Sequence, residues 1–297
     1  MKTASYKPIT INYKLLVIAG ETASGKTDLA LKIAKAYRGE IISADSWTVY
    51  SGFDIGTAKS TTTQQKAVKH HLLDVREANM GFNAPMFKEL ANKAIADIQK
   101  RGNLPILVGG SGLYIDSVVY DYGFLPDVSK VERDRLNSLT IAQLIDFAKK
   151  LNISLDDIDT RNKRRIIRAI EGGGAKPTKS KLRLGSLIIG LRTDKGQLKK
   201  QIERRVDKML AAGLEQEVKK LSERFGWDIE PMKGIGYQQW REYFEGKQTW
   251  EQTRQRIISA TVQLAKRQRT WLKRNPDIQW FDSPNEAYNF LKSVLSK

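Results

Sequence analysis

The chain has 297 residues, of which 40% are hydrophobic and 28% charged, a composition that favours a folded globular protein over a disordered one. Lysine and arginine number 51 against 33 aspartates and glutamates, and the resulting formal net charge of +18 favours a polyanionic partner. The absence of cysteine excludes disulfides and thiolate metal sites, and no apolar run approaches the roughly 20 residues of a membrane span.

The first predicted strand, Lys14–Ala19, leads into a glycine-bounded loop and then a predicted helix, Lys26–Tyr37. The loop, Gly20–Thr27, fits the pattern G-x-x-x-x-G-K-[ST] of a phosphate-binding P-loop. Its glycines let the backbone turn successive N–H groups inward, and the helix N-terminus adds a positive dipole, so together they hold phosphate. Lys26 would reach the outer phosphate oxygens, and the Thr27 hydroxyl would bind Mg²⁺. The motif predicts a diphosphate or triphosphate site and leaves open which ligand is bound.

The second predicted strand, Glu40–Ala44, is followed directly by Asp45 and Ser46. Ligand groups project from the carboxyl ends of strands in open α/β sheets, and this would place Asp45 beside the P-loop. Asp-Ser also commonly caps a turn or a helix. The residues alone leave both interpretations of Asp45 open.

Ser51–Gln65 is rich in glycine, serine and threonine and is predicted to be a loop. His70 and His71, the only histidines, are adjacent, so their side chains point apart and a structural role is favoured over a metal site. A helix is predicted over Ala84–Lys100, and a third buried strand over Leu104–Val108 runs into Gly-Gly-Ser-Gly. Such small residues let backbone and a hydroxyl approach a ligand closely.

The alternation of strands and helices predicts an α/β fold, a P-loop parallel sheet with flanking helices. Residues 120–185 contain only charged helical segments, and the strand pattern resumes at Ser186–Leu191. We therefore expect a P-loop catalytic domain of residues 1–119 and 186–297 with a helical insertion domain of residues 120–185. The remaining predicted elements are an amphipathic helical segment over Leu198–Leu221 weakened at Gly213, a helix over Thr249–Arg274, a strand over Ile278–Phe281 and a helix over Pro284–Leu295.

Positive charge is concentrated in two clusters that lie far along the chain from the P-loop. The first is predicted to occupy one helix face opposite isoleucines, and consists of Arg161, Arg164, Arg165 and Arg168. The second surrounds Trp271 and consists of Lys266, Arg267, Arg269, Lys273 and Arg274. Arginine is suited to bidentate phosphate contacts and to stacking on bases. Two such clusters favour a nucleic acid partner over an ordinary solvated face.

The motifs allow three kinds of phosphate chemistry. A hydrolysing NTPase would have an apolar strand ending in an aspartate that completes the Mg²⁺ shell, whereas the third strand here ends in Gly-Gly. Leu72-Leu73-Asp74 is only a weak substitute. A small-molecule kinase and a transferase with a diphosphate leaving group are the other two possibilities.

Eight short runs in order make the chain resemble the bacterial form of the tRNA dimethylallyltransferase (tRNA isopentenyltransferase) family. They are Gly20–Thr27, Ile41–Ser46, Asp54–Lys59, His70–Asp74, Leu107–Tyr114, Arg164–Glu171, Gly234–Tyr237, and Leu264–Gln268 with Trp271. That family transfers a dimethylallyl group from dimethylallyl diphosphate to N6 of the adenosine 3′ to the tRNA anticodon and releases diphosphate. The zinc finger of some eukaryotic relatives is absent, as the lack of cysteine requires.

The resemblance implies roles for particular residues. Asp45 would be the base that deprotonates the adenine amine, Lys26 would stabilise the leaving diphosphate together with Mg²⁺ bound by Thr27, and Ser111 would hydrogen-bond the substrate where the family usually has threonine. The diphosphate or nucleotide (ATP) site would consist of Gly20, Glu21, Thr22, Ala23, Ser24, Gly25, Lys26 and Thr27. The tRNA anticodon stem-loop would contact Asp45, Ser46, Trp47, Thr48, Ser111, Arg133, Arg164, Arg165, Ile166, Ile167, Arg168, Gly236, Tyr237, Lys266, Arg267 and Arg269.

Two places depart from the family pattern. The family usually has proline where Glu21 stands, and we expect this carboxylate to point outward, since it would otherwise weaken diphosphate binding. Trp47-Thr48 replaces the commoner Met-Gln, which puts contacts to the target base there in question. The alternative functions are an adenylate dimethylallyltransferase acting on free AMP, against which the basic clusters argue, and an RNA-binding P-loop ATPase. Residues 1–12 lack a signal-peptide core, and we expect a cytoplasmic monomer.

Overall fold

The computed structural model describes residues 13–125 and 128–295, so the lead-in predicted for residues 1–12 lies outside the described residues. Its strands and helices, in chain order, are β1 (Leu15–Gly20), α1 (Lys26–Ala36), β2 (Gly39–Ala44), α2 (Thr62–Ala67), β3 (His70–His71), α3 (Ala84–Lys100), β4 (Leu104–Gly109), α4 (Gly112–Val119), α5 (Lys130–Ser138), α6 (Ile141–Lys150), α7 (Lys163–Glu171), β5 (Ser186–Leu191), α8 (Lys195–Ala211), α9 (Leu214–Phe225), α10 (Arg241–Phe244), α11 (Trp250–Leu272), β6 (Gln279–Phe281) and α12 (Pro284–Leu295). Short 3₁₀ turns lie at Glu230–Lys233 and Gln238–Trp240.

The strands pair in parallel to form one sheet in the order β3-β2-β4-β1-β5-β6. All residues of β1 are buried, which explains why its sequence does not alternate between apolar and polar residues. Because the strands run parallel, the carboxyl ends of β1, β2, β4 and β5 meet at one edge of the sheet. The predicted α/β class with a parallel P-loop sheet is confirmed.

Helices cover both faces of this sheet. α1 and α12 share a core with apolar side chains of β1, β4 and β5, among them Ile18 and Ile189, both fully buried. α3, α4 and α11 also contact the sheet. A second core lies between α8, α9 and α11, and its largest buried rings are Tyr50, Tyr237 and Trp240. This second core supports the loops that follow β2, and those loops line the site.

The predicted amphipathic segment between Leu198 and Leu221 is two helices, α8 and α9. The break falls at Gly213, whose φ of +97° lies in the left-handed region and caps the start of α9. Glycine adopts this conformation without the steric penalty of a Cβ, so the chain can turn here while both helices keep their apolar faces inward. The sequence pattern identified the weak point, and the structure shows that it is a complete break.

The described residues divide into two compact units. The larger one contains the sheet, is left at Val119 and is re-entered at Leu182, slightly before the predicted end of the insertion. The smaller one, Tyr120–Lys181, holds α5, α6 and α7 around a small core that includes Leu144. An antiparallel bridge joins Gly123 to Thr178 within this smaller unit. No described helix is long and apolar enough to cross a membrane.

Glu40, the second residue of β2, is the centre of a polar network. Its buried carboxylate accepts hydrogen bonds from Arg101 Nη2 at 2.8 Å, Asn103 Nδ2 at 2.7 Å and His71 Nε2 at 2.7 Å. Burial alone would raise the pKa of Glu40, but these hydrogen bonds outweigh it and lower the pKa to about 2. His71 therefore has the structural role predicted for it.

We expect this network to make the stability of the protein sensitive to acid. Since the pKa of Glu40 is lower in the folded chain than the ordinary 4.5, its contribution is full above that value and is lost as the pH falls toward 2. The contribution is about 3 kcal/mol of the free energy of unfolding. Urea unfolding of Glu40→Gln should show lower stability at pH 6 and a flatter pH dependence between pH 4.5 and 2. Glu223→Gln, an exposed glutamate, is the matched control, and equal slopes for both variants would contradict the assignment.

Candidate active site

The P-loop lies at the carboxyl end of β1 and closes onto the N-terminus of α1. A Cβ at Gly20 would lie 2.8 Å from the carbonyl oxygen of Leu191, and Gly25 has a φ of +82° at the helix cap. Steric constraints therefore require glycine at both positions of the motif. Lys26 Nζ donates a hydrogen bond to the carbonyl oxygen of Glu21 at 2.9 Å, so its side chain spans the loop. Thr27 is exposed at the first turn of α1.

Consecutive residues of α11 hold the P-loop from the side. Gln268 Oε1 accepts a hydrogen bond from the Thr22 N–H at 2.8 Å, and the guanidinium of Arg269 binds the carboxylate of Glu21. Glu21 is only 2% exposed, so the prediction that its carboxylate points outward is wrong. Pairing with a cation is what allows a buried carboxylate beside an anion site. The same pairing is incompatible with the predicted contact between Arg269 and tRNA.

The second basic cluster thus does not form one exposed face: α11 ends at Leu272, before Lys273 and Arg274, and the members on the helix differ in their surroundings. Trp271 Nε1 donates to Asp116 at 2.8 Å, and the Trp271 ring lies so close to Gly112 that a Cβ there would be 2.0 Å from it. Trp271 packs inward against α4, whereas Lys266 and Arg267 are exposed. A contact between those two exposed side chains and a nucleic acid stays a prediction.

One cavity of about 130 Å³ lies at the carboxyl edge of the sheet and brings together Asp45 and three of the predicted P-loop residues, Thr22, Lys26 and Thr27. Asp45 Oδ1 accepts a hydrogen bond from the Trp47 N–H at 2.9 Å, so the carboxylate caps a turn and also lines the cavity. The two interpretations of Asp45 left open by the sequence are therefore compatible. The polar residues and the small loop residues that line the cavity include Thr22, Lys26, Thr27, Ser43, Asp45, Thr48, Gly56, Thr57, Lys59, Arg205, Gly236 and Gln268. Apolar lining comes from Val206, Met209, Ile235 and Leu264.

Arg205, from α8, is a residue of the cavity that sequence reasoning missed. The pKa of Lys26 is lowered to about 8: burial is the main cause, the nearby Arg205 cation adds to it, and the charges of Asp45 and Glu21 oppose both effects. Burial also lowers the pKa of Arg205, against the attraction of Asp45. Within residues 13–125 and 128–295 no carboxylate forms an ion pair with Arg205. Two poorly solvated cations in one cavity make an anion site. The sequence signal that could have identified Arg205 is its position within the apolar stripe of α8, between Ile202 and Met209.

Glu217, on α9, fixes the loop that follows β2. Its carboxylate accepts hydrogen bonds from the N–H groups of Asp54, Ile55 and Gly56, at 2.8–3.2 Å, and from the Tyr237 hydroxyl at 2.7 Å. A Cβ at Gly56 would lie 2.5 Å from the Tyr237 ring, so only glycine fits between them. The loop lines the cavity and is held from behind.

Several predicted tRNA-binding residues of the larger unit have other contacts. Tyr237 is 1% exposed beneath this loop, which is incompatible with a contact between its side chain and tRNA. Gly236 lines the cavity with a φ of +96°, and its N–H donates to Gln239. The Thr48 hydroxyl is buried and bonded to Ser43 at 3.0 Å.

Three more residues of that prediction lie at the carboxyl edge itself. The half-buried side chain of Trp47 lines the cavity. Ser46 and Ser111 are half-buried, and the Ser111 N–H donates to the carbonyl oxygen of Ala44 at 3.3 Å. Ser111 thus lies beside Asp45, at the end of the neighbouring strand. Of the three, only Trp47 is among the residues that line the cavity, and the substrate contacts of Ser46 and Ser111 stay predictions.

In the smaller unit, the predicted arginine face is only partly as expected. Helix α7 begins at Lys163, so Arg161 precedes it and pairs with Asp159 instead. Arg164, Arg165 and Arg168 are exposed on the helix. Arg168 pairs with Glu171, and Arg133 forms a bidentate pair with the same carboxylate, which leaves less of its guanidinium for phosphate. Ile166 and Ile167 are 0% and 4% exposed in the core, so their side chains cannot contact tRNA as predicted.

Magnesium would find few protein ligands here. In the part of the chain that the structure describes, no three acidic or histidine side chains group together as a metal site. The Thr27 hydroxyl and the Asp45 carboxylate are oxygen donors of the cavity. Mg²⁺ in phosphate-transfer sites is commonly bound by one or two protein oxygens, substrate phosphates and water, so this sparse donor set fits a metal that arrives with a diphosphate.

Comparisons with known proteins give the relatives of the chain. The chain matches the family model of the IPP transferases over residues 48–275. It is 39% identical to the tRNA dimethylallyltransferase of Pediococcus pentosaceus, an alignment that covers 95% of this chain and 96% of that one. It is 38% identical to that of Bacillus cytotoxicus, with 91% and 90% covered. The solved structure of the tRNA isopentenylpyrophosphate transferase from Bacillus halodurans is similar with a TM-score of 0.73 and 34% identity, over 95% of this chain and 97% of that chain.

Proposed function

The chain belongs to the IPP transferase family, and from this premise we propose that it transfers a dimethylallyl group from dimethylallyl diphosphate to N6 of the adenosine 3′ to the tRNA anticodon. It is a tRNA prenyltransferase. The observation that carries the finer assignment is one cavity in which Lys26, Arg205 and Asp45 meet. Cations for a leaving diphosphate and a carboxylate for an incoming amine are what such a transfer needs.

The P-loop side of the cavity serves the leaving group. An allylic C–O bond breaks readily when the charge that develops on the departing diphosphate is stabilised, and oriented N–H groups and cations do this best where water is excluded. Lys26 and Arg205 supply the cations, and the loop N–H groups together with the start of α1 supply the dipoles. We propose that Mg²⁺, bound by Thr27 and the diphosphate, supplies further charge neutralisation.

The strand-end side of the cavity serves the nucleophile. An adenine amine is weakly nucleophilic, so a base must accept its proton as the C–N bond forms. Asp45 is fixed for this role by the hydrogen bond from the Trp47 N–H, which holds one carboxylate oxygen and orients the other. The apolar side chains of Met209, Ile235 and Leu264 would surround the five-carbon tail.

The target adenosine must leave its stack to reach a cavity of this kind. We propose that exposed cations bind the anticodon stem-loop backbone, Arg164 and Arg165 in the smaller unit and Lys266 and Arg267 on α11. The formal net charge of +18 supports such a polyanionic partner. We further propose that the enzyme acts on tRNA in the cytoplasm as a monomer.

Labelled dimethylallyl diphosphate, offered with tRNA, with an anticodon stem-loop alone or with AMP, tests the proposal. Label should enter the tRNA and the stem-loop, at the adenosine 3′ to the anticodon, and should not enter AMP. Label on AMP alone would indicate an adenylate dimethylallyltransferase. RNA-stimulated ATP hydrolysis without transfer of label would indicate an RNA-binding ATPase.

Replacing Arg164, Arg165 and Arg168 together with glutamine should weaken tRNA binding and make it less dependent on salt. Each lost phosphate contact removes about 0.7–0.9 from the slope of log affinity against log salt concentration. We expect the slope to fall by about 2 in filter-binding titrations. The variant Lys219→Gln, Lys220→Gln, Arg224→Gln removes the same charge from exposed positions of α9 and is the matched control. Equal slopes for both triple variants would mean that the arginine face is merely solvated.

A further inference from the structure

Glu21 is a buried carboxylate inside the loop that would hold a diphosphate. Its side chain is 2% exposed, and its carboxylate accepts hydrogen bonds from Arg269 and, at 3.0 Å, from the Thr193 N–H. It stands between Gly20 and Thr22, at the start of the first turn of the loop, in which the Ser24 N–H donates a hydrogen bond to the carbonyl oxygen of Glu21. An unpaired carboxylate in this place would oppose an anionic ligand by repulsion and would itself be expensive to bury.

The Arg269 guanidinium is fixed by Glu21 and by the backbone of Thr193. Its Nε lies 2.5 Å from Glu21 Oε2, its Nη2 binds the other carboxylate oxygen, and Nη2 also donates to the carbonyl oxygen of Thr193 at 2.6 Å. The side chain is 17% exposed. This parallel two-bond arrangement is the strongest geometry available to an arginine and a carboxylate. The cation is therefore committed to Glu21.

A second contact between α11 and the loop lies next to this ion pair. Gln268, one residue earlier on α11, accepts the hydrogen bond of the Thr22 N–H. The side chains of two consecutive residues of α11 thus bind two consecutive residues of the loop: Arg269 binds the side chain of Glu21, and Gln268 binds the backbone N–H of Thr22. A rigid helix of 23 residues fixes the loop at two adjacent points.

We propose that Arg269 is a positioning residue of the diphosphate site, which cancels the charge of Glu21 and ties the loop to α11. The inference rests on the proposed function for the identity of the anion as a diphosphate. In this proposal Glu21 and Arg269 act as a pair: the loop tolerates a buried carboxylate at position 21 because Arg269 neutralises its charge. Loss of the arginine alone leaves a buried negative charge beside the ligand, whereas loss of both charges leaves the site neutral again.

Three variants of the full chain test this pairing: Arg269→Gln, Glu21→Gln and the double variant. The readouts are the Kd of inorganic pyrophosphate with Mg²⁺ by calorimetry, the KM values for dimethylallyl diphosphate and tRNA, and Tm. Arg269→Gln should weaken pyrophosphate binding about tenfold, as one uncompensated charge nearby would, and should raise the KM for dimethylallyl diphosphate without changing that for tRNA. The double variant should recover pyrophosphate binding to within about threefold. Glu21→Gln leaves the Arg269 charge uncompensated and should bind pyrophosphate at least as tightly as the unaltered chain.

Other outcomes would overturn the inference. Failure of the double variant to recover, or weaker pyrophosphate binding by Glu21→Gln, would show that charge cancellation is not the role of Arg269. A raised KM for tRNA in both Arg269 variants, with pyrophosphate binding unchanged, would show that Arg269 contacts RNA. If Arg269→Gln does not fold, the other two variants still decide. If the unaltered chain transfers no label to tRNA while the pyrophosphate pattern holds, the proposed function fails and the pairing stands.

Discussion

Asp45→Asn is expected to lower kcat for transfer to tRNA by about 10³-fold, within the range that a general base contributes. Asparagine keeps the side-chain oxygen that accepts the hydrogen bond from the Trp47 N–H, so the turn should survive while the proton acceptor is lost. Asp45→Ala removes the turn contact as well and should abolish turnover. In both variants tRNA affinity should stay close to that of the unaltered chain.

Single-turnover transfer at saturating dimethylallyl diphosphate measures the chemical step, and filter binding measures tRNA affinity separately. Asp228→Asn is the matched control, because that carboxylate has a 98% exposed side chain on the surface. A preserved rate with lost tRNA affinity would mean that Asp45 binds RNA and does not act as the base. A rate loss in the alanine variant alone would mean that the turn, and not the proton acceptor, is what matters.

Lys26→Met is expected to lower kcat/KM for dimethylallyl diphosphate by about 10³-fold, the upper end of what one group that stabilises a developing charge contributes. Methionine keeps much of the length and volume of lysine but has no charge and cannot donate a hydrogen bond to the carbonyl oxygen of Glu21. Lys35→Met, on an exposed position of α1, controls for loss of a lysine from the same helix.

The pH dependence of pyrophosphate binding gives a second measure of the same residue. Because the pKa of Lys26 is lowered to about 8, the unaltered chain should lose affinity for pyrophosphate as the pH rises through 8 and the ammonium gives up its proton. The ligand itself also titrates, and Lys26→Met shows that contribution alone. Identical pH profiles for the two proteins would remove Lys26 from the anion site.

The local sequence pattern alone was sufficient to predict the P-loop and the three long strands around it. A strand buried on both faces reads as a continuous apolar run, and a loop that wraps phosphate needs glycine at Gly20 and Gly25 for steric reasons. Strand β3 was missed because two residues, His70 and His71, carry no periodicity. The parallel order of the sheet then brings Asp45 to the P-loop edge without any further information.

The roles of Glu21, Arg269 and Tyr237 could not be predicted in this way. Arg269 meets Glu21 across 248 residues of sequence, and a charged residue in a basic cluster looks the same whether it faces RNA or a buried carboxylate. Tyr237 is in a glycine-punctuated stretch that resembles an exposed loop, yet Glu217 and Phe53 enclose its ring. Arg205 was hidden in the same manner among the apolar residues of α8. In each case the packing of distant segments decides the environment, and periodicity does not report it.

The carboxylate of Glu217 has a consequence for anion selectivity. Three successive N–H groups, those of Asp54, Ile55 and Gly56, converge on it, and converging backbone N–H groups are the same kind of feature that captures phosphate and sulfate elsewhere in proteins. The chain fills this concavity with its own side chain, so it is closed to dissolved anions. A diphosphate that enters the cavity can therefore bind the N–H groups of the P-loop, whereas those of residues 54–56 are already bonded to Glu217 and cannot compete for it.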